Sequence, residues 1–247
     1  MVAGLVLLGL LASWTEVRAL TGLADILNRK TLVVAMPGAD MYPFSYTDKQ
    51  GELTGLDVDL GRDIARKLGV EFVPDRSAGS QAEVIRLLVT DRADLGVSGL
   101  KLLLPHVALT SFCHPYLRVS YALMINRLKL AELGGLVEPV AVLTDTPCLK
   151  IGALDRPAYE EYVHQLFPGS KVILYQDLAE LMREVASGRL IAGFCDEIES
   201  KTAFTLFPRL GVDVRLVVLR QTQDEVALAV NWRYDHFRAW INLYLET

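Results

Sequence analysis

Basic residues are in short supply: 25 Lys and Arg against 30 Asp and Glu leave a formal net charge of −5, and the cations are dispersed. No basic stripe offers phosphates an electrostatic footprint, so nucleic acid is excluded as a partner. Cysteine is scarce too. Cys113, Cys148 and Cys195 cannot all pair internally, and their spacing fits neither a disulfide scaffold nor a zinc site. They read as buried free thiols, with one bridge plus one free thiol as the alternative. The four histidines, His106, His114, His164 and His236, lack metal-ligand spacing, and no glycine-rich loop suggests a nucleotide cradle, so no cofactor is expected. There is no low-complexity tract, and with only 10 prolines no disordered linker is evident.

Long apolar runs are missing as well. Val2 to Ala12 is uninterruptedly apolar but too short to span a bilayer comfortably, and no Lys or Arg precedes it. Residues 1–19 are therefore a candidate signal peptide or membrane-proximal segment, with Val17 and Ala19 suiting the small-residue rule for cleavage. Export with cleavage, a membrane tether and a buried helix stay open. No cysteine follows the run, which leaves lipoprotein anchoring unsupported.

What is present is a globular composition, 51% hydrophobic and 22% charged over 247 residues, enough for two lobes of about a hundred residues each. Strand and helix patterns alternate, as in an α/β fold with helices covering a parallel or mixed sheet. Strands are predicted at Thr31–Met36, Glu71–Asp75, Asp94–Ser98, Tyr121–Asn126, Leu149–Ala153, Lys171–Tyr175, Leu190–Cys195, Val214–Leu219 and Glu225–Val230. Helices are predicted at Gln81–Thr90, Pro157–Leu166, Asp177–Ser187, the last with Asp177 and Glu180 as a capping box, and from Asp235 onward.

The richest stretch is Gly51 to Gly69. Leu60, Ile64 and Leu68 fall at helical spacing, Asp57 and Asp59 sit where a helix N-terminus favours negative charge, and Arg66 and Lys67 fill the last turn before Gly69. Both aspartates read as structural for that reason. An internal echo follows: Asp91 to Gly99 can be laid over Gly188 to Asp196, matching Arg92 with Arg189 and Gly96 with Gly193. In open α/β sheets ligands bind beyond the carboxyl ends of strands, where both segments finish, so Ser98, Gly99 and Asp196 are candidates to face one cleft from opposite sides.

These segments, with Tyr42-Pro-Phe-Ser-Tyr46, Gly55-Leu-Asp-Val-Asp-Leu60, Phe112-Cys-His-Pro-Tyr116 and Ser187 to Glu197, carry a resemblance to the family 3 periplasmic solute-binding proteins that deliver polar amino acids to ABC importers. The resemblance runs from about Asp25 to Leu245. It implies a two-lobed type II periplasmic-binding-protein-like fold, each lobe a mixed sheet flanked by helices, with two crossover strands as hinge near Tyr121–Asn126 and Val214–Leu219. Lobe 1 would be discontinuous, residues 25–120 plus 220–247, and lobe 2 would span residues 121–219. It also implies a periplasmic or extracytoplasmic location, with a small-molecule solute and a membrane permease or a fused or associated membrane sensor as partners.

Carried over residue by residue, the binding site departs from the family. The family's carboxylate-clamping arginine, eight positions after the Ser-Gly serine, is replaced by His106, which offers one donor rather than a fork. Lys101 stands where the family often has a small hydroxyl residue, as a replacement cation or a solvated loop lysine. Asp155-Arg156-Pro157-Ala158 replaces a Gly-Thr-Thr-like turn; Arg156 ahead of a proline-initiated helix is either an anion ligand or a surface residue. Asp196 is retained, as acceptor of the solute's ammonium group or as a capping carboxylate. The stacking ring maps to Met41 or, shifted by one, to Tyr42, the preferred wall; Phe44 reads as core. The substrate-binding set is thus Tyr42, Ser98, Gly99, Lys101, His106, Arg156 and Asp196, with no catalytic residue assigned.

The leading reading is a binding module that closes on a small polar, amino-acid-like or anionic solute without performing chemistry. A dehydratase like the cyclohexadienyl dehydratases, which share this architecture, is the alternative; the glutamate-bearing turn that it implies has no good match near Asp155 to Ala158. A sensory or transporter-fused domain is the third reading, suggested by the uncharged apolar start and by a chain stopping at Thr247.

Overall fold

The computed structural model describes residues 22–156 and 158–247. The signal or tether reading of residues 1–19 lies outside them, as does Pro157. Along the chain come α1 (Leu23–Arg29), β1 (Thr31–Pro37), β2 (Tyr46–Thr47), β3 (Leu53–Thr54), α2 (Leu56–Leu68), β4 (Glu71–Ala78), α3 (Gln81–Val89), β5 (Leu95–Gly96), α4 (Leu104–Val107), β6 (Thr110–Phe112) and β7 (Leu117–Asn126). They continue with α5 (Arg127–Glu132), α6 (Pro139–Asp145), β8 (Lys150–Leu154), α7 (Tyr159–Leu166), β9 (Lys171–Tyr175), α8 (Leu178–Ala186), β10 (Ala192–Asp196), α9 (Glu197–Leu206), α10 (Leu210–Asp213), β11 (Val214–Val226), β12 (Ala229–Asn231) and α11 (Asp235–Leu245). Among the described residues no helix is long and apolar enough to cross a membrane.

Two five-stranded mixed sheets organise the fold, in the orders β4-β1-β5-β12-β6 and β11-β7-β10-β8-β9. In the first, β1 pairs parallel with β4 and β5, and β12 returns antiparallel beside β5 and β6. In the second, β8, β9 and β10 are parallel, and β7 runs antiparallel to both β10 and β11. This is the α/β architecture of two helix-covered sheets that the alternating pattern implies. Each sheet has its own hydrophobic core. The first buries Val34 and Met36 with Ile64, Phe237 and Ile241, and on another cluster Ile85 and Leu88; the second buries Leu123, Ile151 and Phe194 with Val163, Leu181 and Met182.

The echo between the two halves has a packing cause. A Cβ on Gly96 would crowd Leu88 and Val84 of α3, and one on Gly193 would crowd Val185 and Leu181 of α8. Each glycine lets a helix lie close on its strand. Helix boundaries follow local chemistry: Gly69 closes α2 in the left-handed conformation at φ 69°, accepting the duty that a Cβ would oppose. Asp177 caps α8 through the Ala179 and Glu180 N–H groups.

Several expected elements shift. The strand expected over Asp94–Ser98 shrinks to β5, because Ser98 (φ 84°) and Gly99 (φ 65°) turn the chain away from the sheet. The expected strands Val214–Leu219 and Glu225–Val230 become one long β11, with a register shift between Leu219 and Gln223, and a separate β12. α7 starts at Tyr159 after Ala158 in the left-handed region (φ 69°), so the helix is not the proline-initiated one expected from residue 157. α9 has no counterpart in the sequence reading, because its apolar residues do not gather on one face. Cys113 and Cys195 are buried free thiols, whereas Cys148 is exposed, against the expectation that all three are buried.

Candidate functional site

The turn after β5 is held from beneath by Asp57. Its carboxylate accepts the Ser98 and Gly99 N–H groups at 2.6 and 2.8 Å and the Tyr116 hydroxyl at 2.6 Å, and the side chain is fully buried. Asp57 is structural, as expected, but as an internal strut rather than a helix-terminal charge. Burial raises its pKa, opposed by those three hydrogen bonds. The Ser98 hydroxyl shares a 2.7 Å hydrogen bond with Ser45, and the Ser98 and Gly99 carbonyls accept from Gln81. The ring of buried Phe44 lies against Gly99, which fits its reading as core. The backbone donors of Ser98 and Gly99 are thus engaged inside the protein, directing the chain into Lys101.

Lys101 pairs in an isolated antiparallel bridge with Val226, and its ammonium enters a cluster drawn from β7, β10 and β11 of the second sheet and from α7. The nitrogen lies 2.9 Å from Asp224, 3.9 Å from Asp196 and 3.3 Å from the Tyr159 hydroxyl. It also sits 5.1 Å from the ring centroid of Tyr121 and 4.7 Å from that of Tyr159, inside cation–π range. The side chain is 16% exposed, so the solvated-loop reading of this lysine does not hold. Its two rings are fixed by an aromatic stack: Tyr121 lies on Phe194 at 5.0 Å and meets Tyr159 edge-on. The Tyr121 hydroxyl donates to Asp224 at 2.5 Å.

Asp196 is a capping carboxylate, and its second oxygen faces the cluster. Oδ1 accepts the Glu199 N–H at 2.7 Å, forming a reciprocal capping box at the start of α9, while Oδ2 accepts from the Tyr159 hydroxyl at 3.2 Å and faces Lys101. Glu199 brings a third carboxylate, 3.0 Å from the Tyr159 hydroxyl. Burial first, and the Asp196 charge second, raise its pKa, with Arg156 and Lys101 pulling the other way. Burial and the neighbouring carboxylates hold the Tyr159 phenol well above its ordinary pKa, so it stays a neutral donor.

The remaining candidates are more peripheral. Arg156 is exposed and lies 3.6 Å from Glu199, a neighbour of the cluster rather than an unpaired anion ligand. Tyr42 is 50% exposed and packs on Tyr46, with ring centroids 4.8 Å apart. His106 sits on α4, half-buried, with Nδ1 buried and without a hydrogen-bond partner. A cavity of about 530 Å³ opens beside the cluster, lined by Leu102, Arg118, Tyr162, Gln223, Asp224 and Glu225. Tyr121, Tyr159, Glu199 and Asp224 were not singled out from the sequence. Two of them lie in segments read as plain strand or helix, and only the tertiary fold brings Asp224 to Lys101. Glu199, three residues after Asp196, was legible in principle as a capping-box partner. Among the described residues no group of His, Cys, Asp and Glu is arranged to hold a metal.

Comparison with known proteins places the chain in a family. A cyclohexadienyl dehydratase of Pseudomonas aeruginosa is 26% identical over 213 residues, 85% of this chain and 75% of that protein. Among solved structures, an ancestral cationic amino acid solute-binding protein is 25% identical at a TM-score of 0.73, covering 91% of this chain and 92% of its own. A putative ABC-transporter binding component from Wolinella succinogenes DSM 1740, solved with lysine, is 24% identical at a TM-score of 0.73, over 88% of this chain and 89% of its own, and shares the fold. The model of the bacterial extracellular solute-binding proteins, family 3, matches residues 32–245, and the chain belongs to that family.

Proposed function

We propose that this chain is an extracytoplasmic solute-binding domain that closes two lobes, residues 25–120 plus 220–247 and residues 121–219, on a small polar solute with an amino group. The observation that carries this reading is the cluster itself. Lys101 of one lobe meets Asp196 and Tyr159 of the other, with Asp224 and Tyr121 from the strands joining them. Three carboxylates and two tyrosine faces against one ammonium and one peripheral guanidinium suit an ammonium-bearing solute better than a bare anion. The 25%-identical ancestral protein that takes cationic amino acids supports the same class. β7 and β11, paired along their length and interrupted at the register shift after Leu219, are the hinge about which such lobes would rotate. Handover to a permease, or signalling to an associated membrane sensor, is the partner step that a closing receptor serves.

The test is thermal unfolding of the chain against amino acids, polyamines and dicarboxylates. A solute at a hundredfold its Kd adds about 2.7 kcal/mol, a shift of roughly 5 to 10 °C for a protein of this size. A shift with an amino acid or polyamine is the expected result. Shifts confined to dicarboxylates would overturn the amino-group assignment, and none across the panel would overturn the solute reading.

A dehydratase is the second reading, favoured by Glu199. A carboxyl whose pKa burial raises, beside Tyr159 and Lys101 in a cleft, has the character of a general acid, and a 26%-identical relative is a dehydratase. Incubation with a cyclohexadienyl compound such as prephenate, followed by absorbance of an aromatic product, tests it; no aromatic product at high enzyme concentration removes it.

A further inference from the structure

We propose that the Lys101 side chain is a built-in surrogate for the solute's amino group: its ammonium occupies a cation subsite formed by Tyr121, Tyr159, Asp196 and Asp224, and keeps external ammonium groups out until it is displaced. The inference deepens the cleft reading above by naming what fills the site in the solute-free protein.

The argument starts from what the subsite offers. Two carboxylates at 2.9 and 3.9 Å and two ring faces at 5.1 and 4.7 Å surround one nitrogen, with the Tyr159 hydroxyl as a further contact at 3.3 Å. Each wall is itself held. Asp196 is fixed by the capping box, Asp224 by the Tyr121 hydroxyl, and Tyr121 and Tyr159 by Phe194. A preorganised acidic-aromatic cage of this kind recognises an alkylammonium by charge and by ring quadrupole, and is indifferent to whether the alkyl stem belongs to a solute or to the chain. The stem does belong to the chain, and it comes from the lobe opposite Tyr121, Tyr159 and Asp196, the lobe that also carries Asp224. Lys101 leaves the turn fixed by Asp57 and reaches across to Tyr159 and Asp196, so one side chain makes the contacts by which a solute would draw the lobes together. Because the tether keeps this ammonium at high effective concentration, a free monovalent ammonium competes poorly. A zwitterion competes better, since its carboxylate gives the displaced Lys101 a new partner beside the cage.

Chemical rescue tests this. In Lys101→Ala the cage stands empty, and n-butylammonium, an alkylammonium with the four-carbon stem of a lysine side chain, should bind there. At tenfold its Kd the variant's Tm should rise by roughly 3 to 6 °C, while the native chain under the same conditions is unmoved. n-Butanol, of equal stem and no charge, should do nothing, and Asp224→Asn in the Lys101→Ala background should abolish the rescue. No rise in the variant, an equal rise in the native chain, or an equal rise with butanol would each overturn the proposal. Should Lys101→Ala not stay folded, Lys101→Met keeps an unbranched four-atom stem and loses the charge, and solution scattering reads the lobes directly. A larger radius of gyration than native supports the bridge; an unchanged one overturns it. Rescue of the variant with no native hit in the solute panel would keep the surrogate and remove the solute reading. The reverse pattern would remove the surrogate alone.

Discussion

At the residue scale, Asp57 shows how much of the cleft rests on one buried carboxylate. It takes the Ser98 and Gly99 N–H groups and the Tyr116 hydroxyl, and thereby fixes the turn from which Lys101 departs. Asp57→Ala leaves three buried donors without an acceptor and should cost about 3 kcal/mol of unfolding free energy in a urea titration. Asp57→Asn keeps an amide oxygen for the backbone donors and should cost about 1 kcal/mol. Equal losses for the two would show that the acceptor is not what matters there. The sequence marks Asp57 as structural through its place in a first helical turn, yet its partners lie about forty residues and more along the chain, out of reach of any local pattern. Ser98 and Lys101 were singled out from the sequence; the contacts that give them a task, to Ser45 and to Asp224, are long-range in the same way.

At the level of elements, α2 and its entry turn were legible because their chemistry is local: the leucine spacing, the terminal charges and the left-handed Gly69 all lie within the segment. Gly55, the residue ahead of this helix, has φ 124°, and a Cβ there would collide with the Phe44 carbonyl and lie 2.8 Å from the Pro43 carbonyl oxygen. Those carbonyls accept the Leu56 and Asp57 N–H groups, so they cannot retreat without breaking the helix entry. Gly55→Ala should therefore destabilise by about 3 kcal/mol or more, through backbone strain added to a backbone clash. A loss below about 1 kcal/mol, of the size of an ordinary Gly to Ala exchange, would show that the turn relaxes freely. By contrast α9 was illegible. It is stabilised by the Asp196–Glu199 capping box and by Ser200 and Ala203 buried against the second sheet, not by an amphipathic stripe.

On the scale of the whole molecule, the cluster around Lys101 ties pH to stability. Burial and Asp196 raise the Glu199 pKa above the 4.5 of a free glutamate, so the folded chain binds a proton more tightly than the unfolded one does. The stability linked to this group is complete below pH 4.5 and is lost as pH rises through the folded pKa. Glu199→Gln removes the titration. The native unfolding free energy, measured against that of the variant, should fall with rising pH by up to about 1.4 kcal/mol per unit and then level off. A difference that rises with pH would mean that Glu199 is held ionised by Arg156 and Lys101 instead. Sequence alone determined the α/β class, the alternation that builds two helix-covered sheets, the kinship with solute-binding proteins and the identity of Lys101 and Asp196 as residues of interest. The class follows from periodicity and caps, which are properties of neighbouring residues; the kinship and the interest in Lys101 and Asp196 follow from the family resemblance that the order of motifs carries. Tertiary structure alone decided that Lys101 is mostly shielded rather than solvated, that Asp224, Tyr121, Tyr159 and Glu199 surround it, and that Ser98 and Gly99 already have their acceptor in Asp57. Those contacts join residues from 20 to 123 positions apart, and they exist only once two sheets have packed and the long β7–β11 pair has set one against the other.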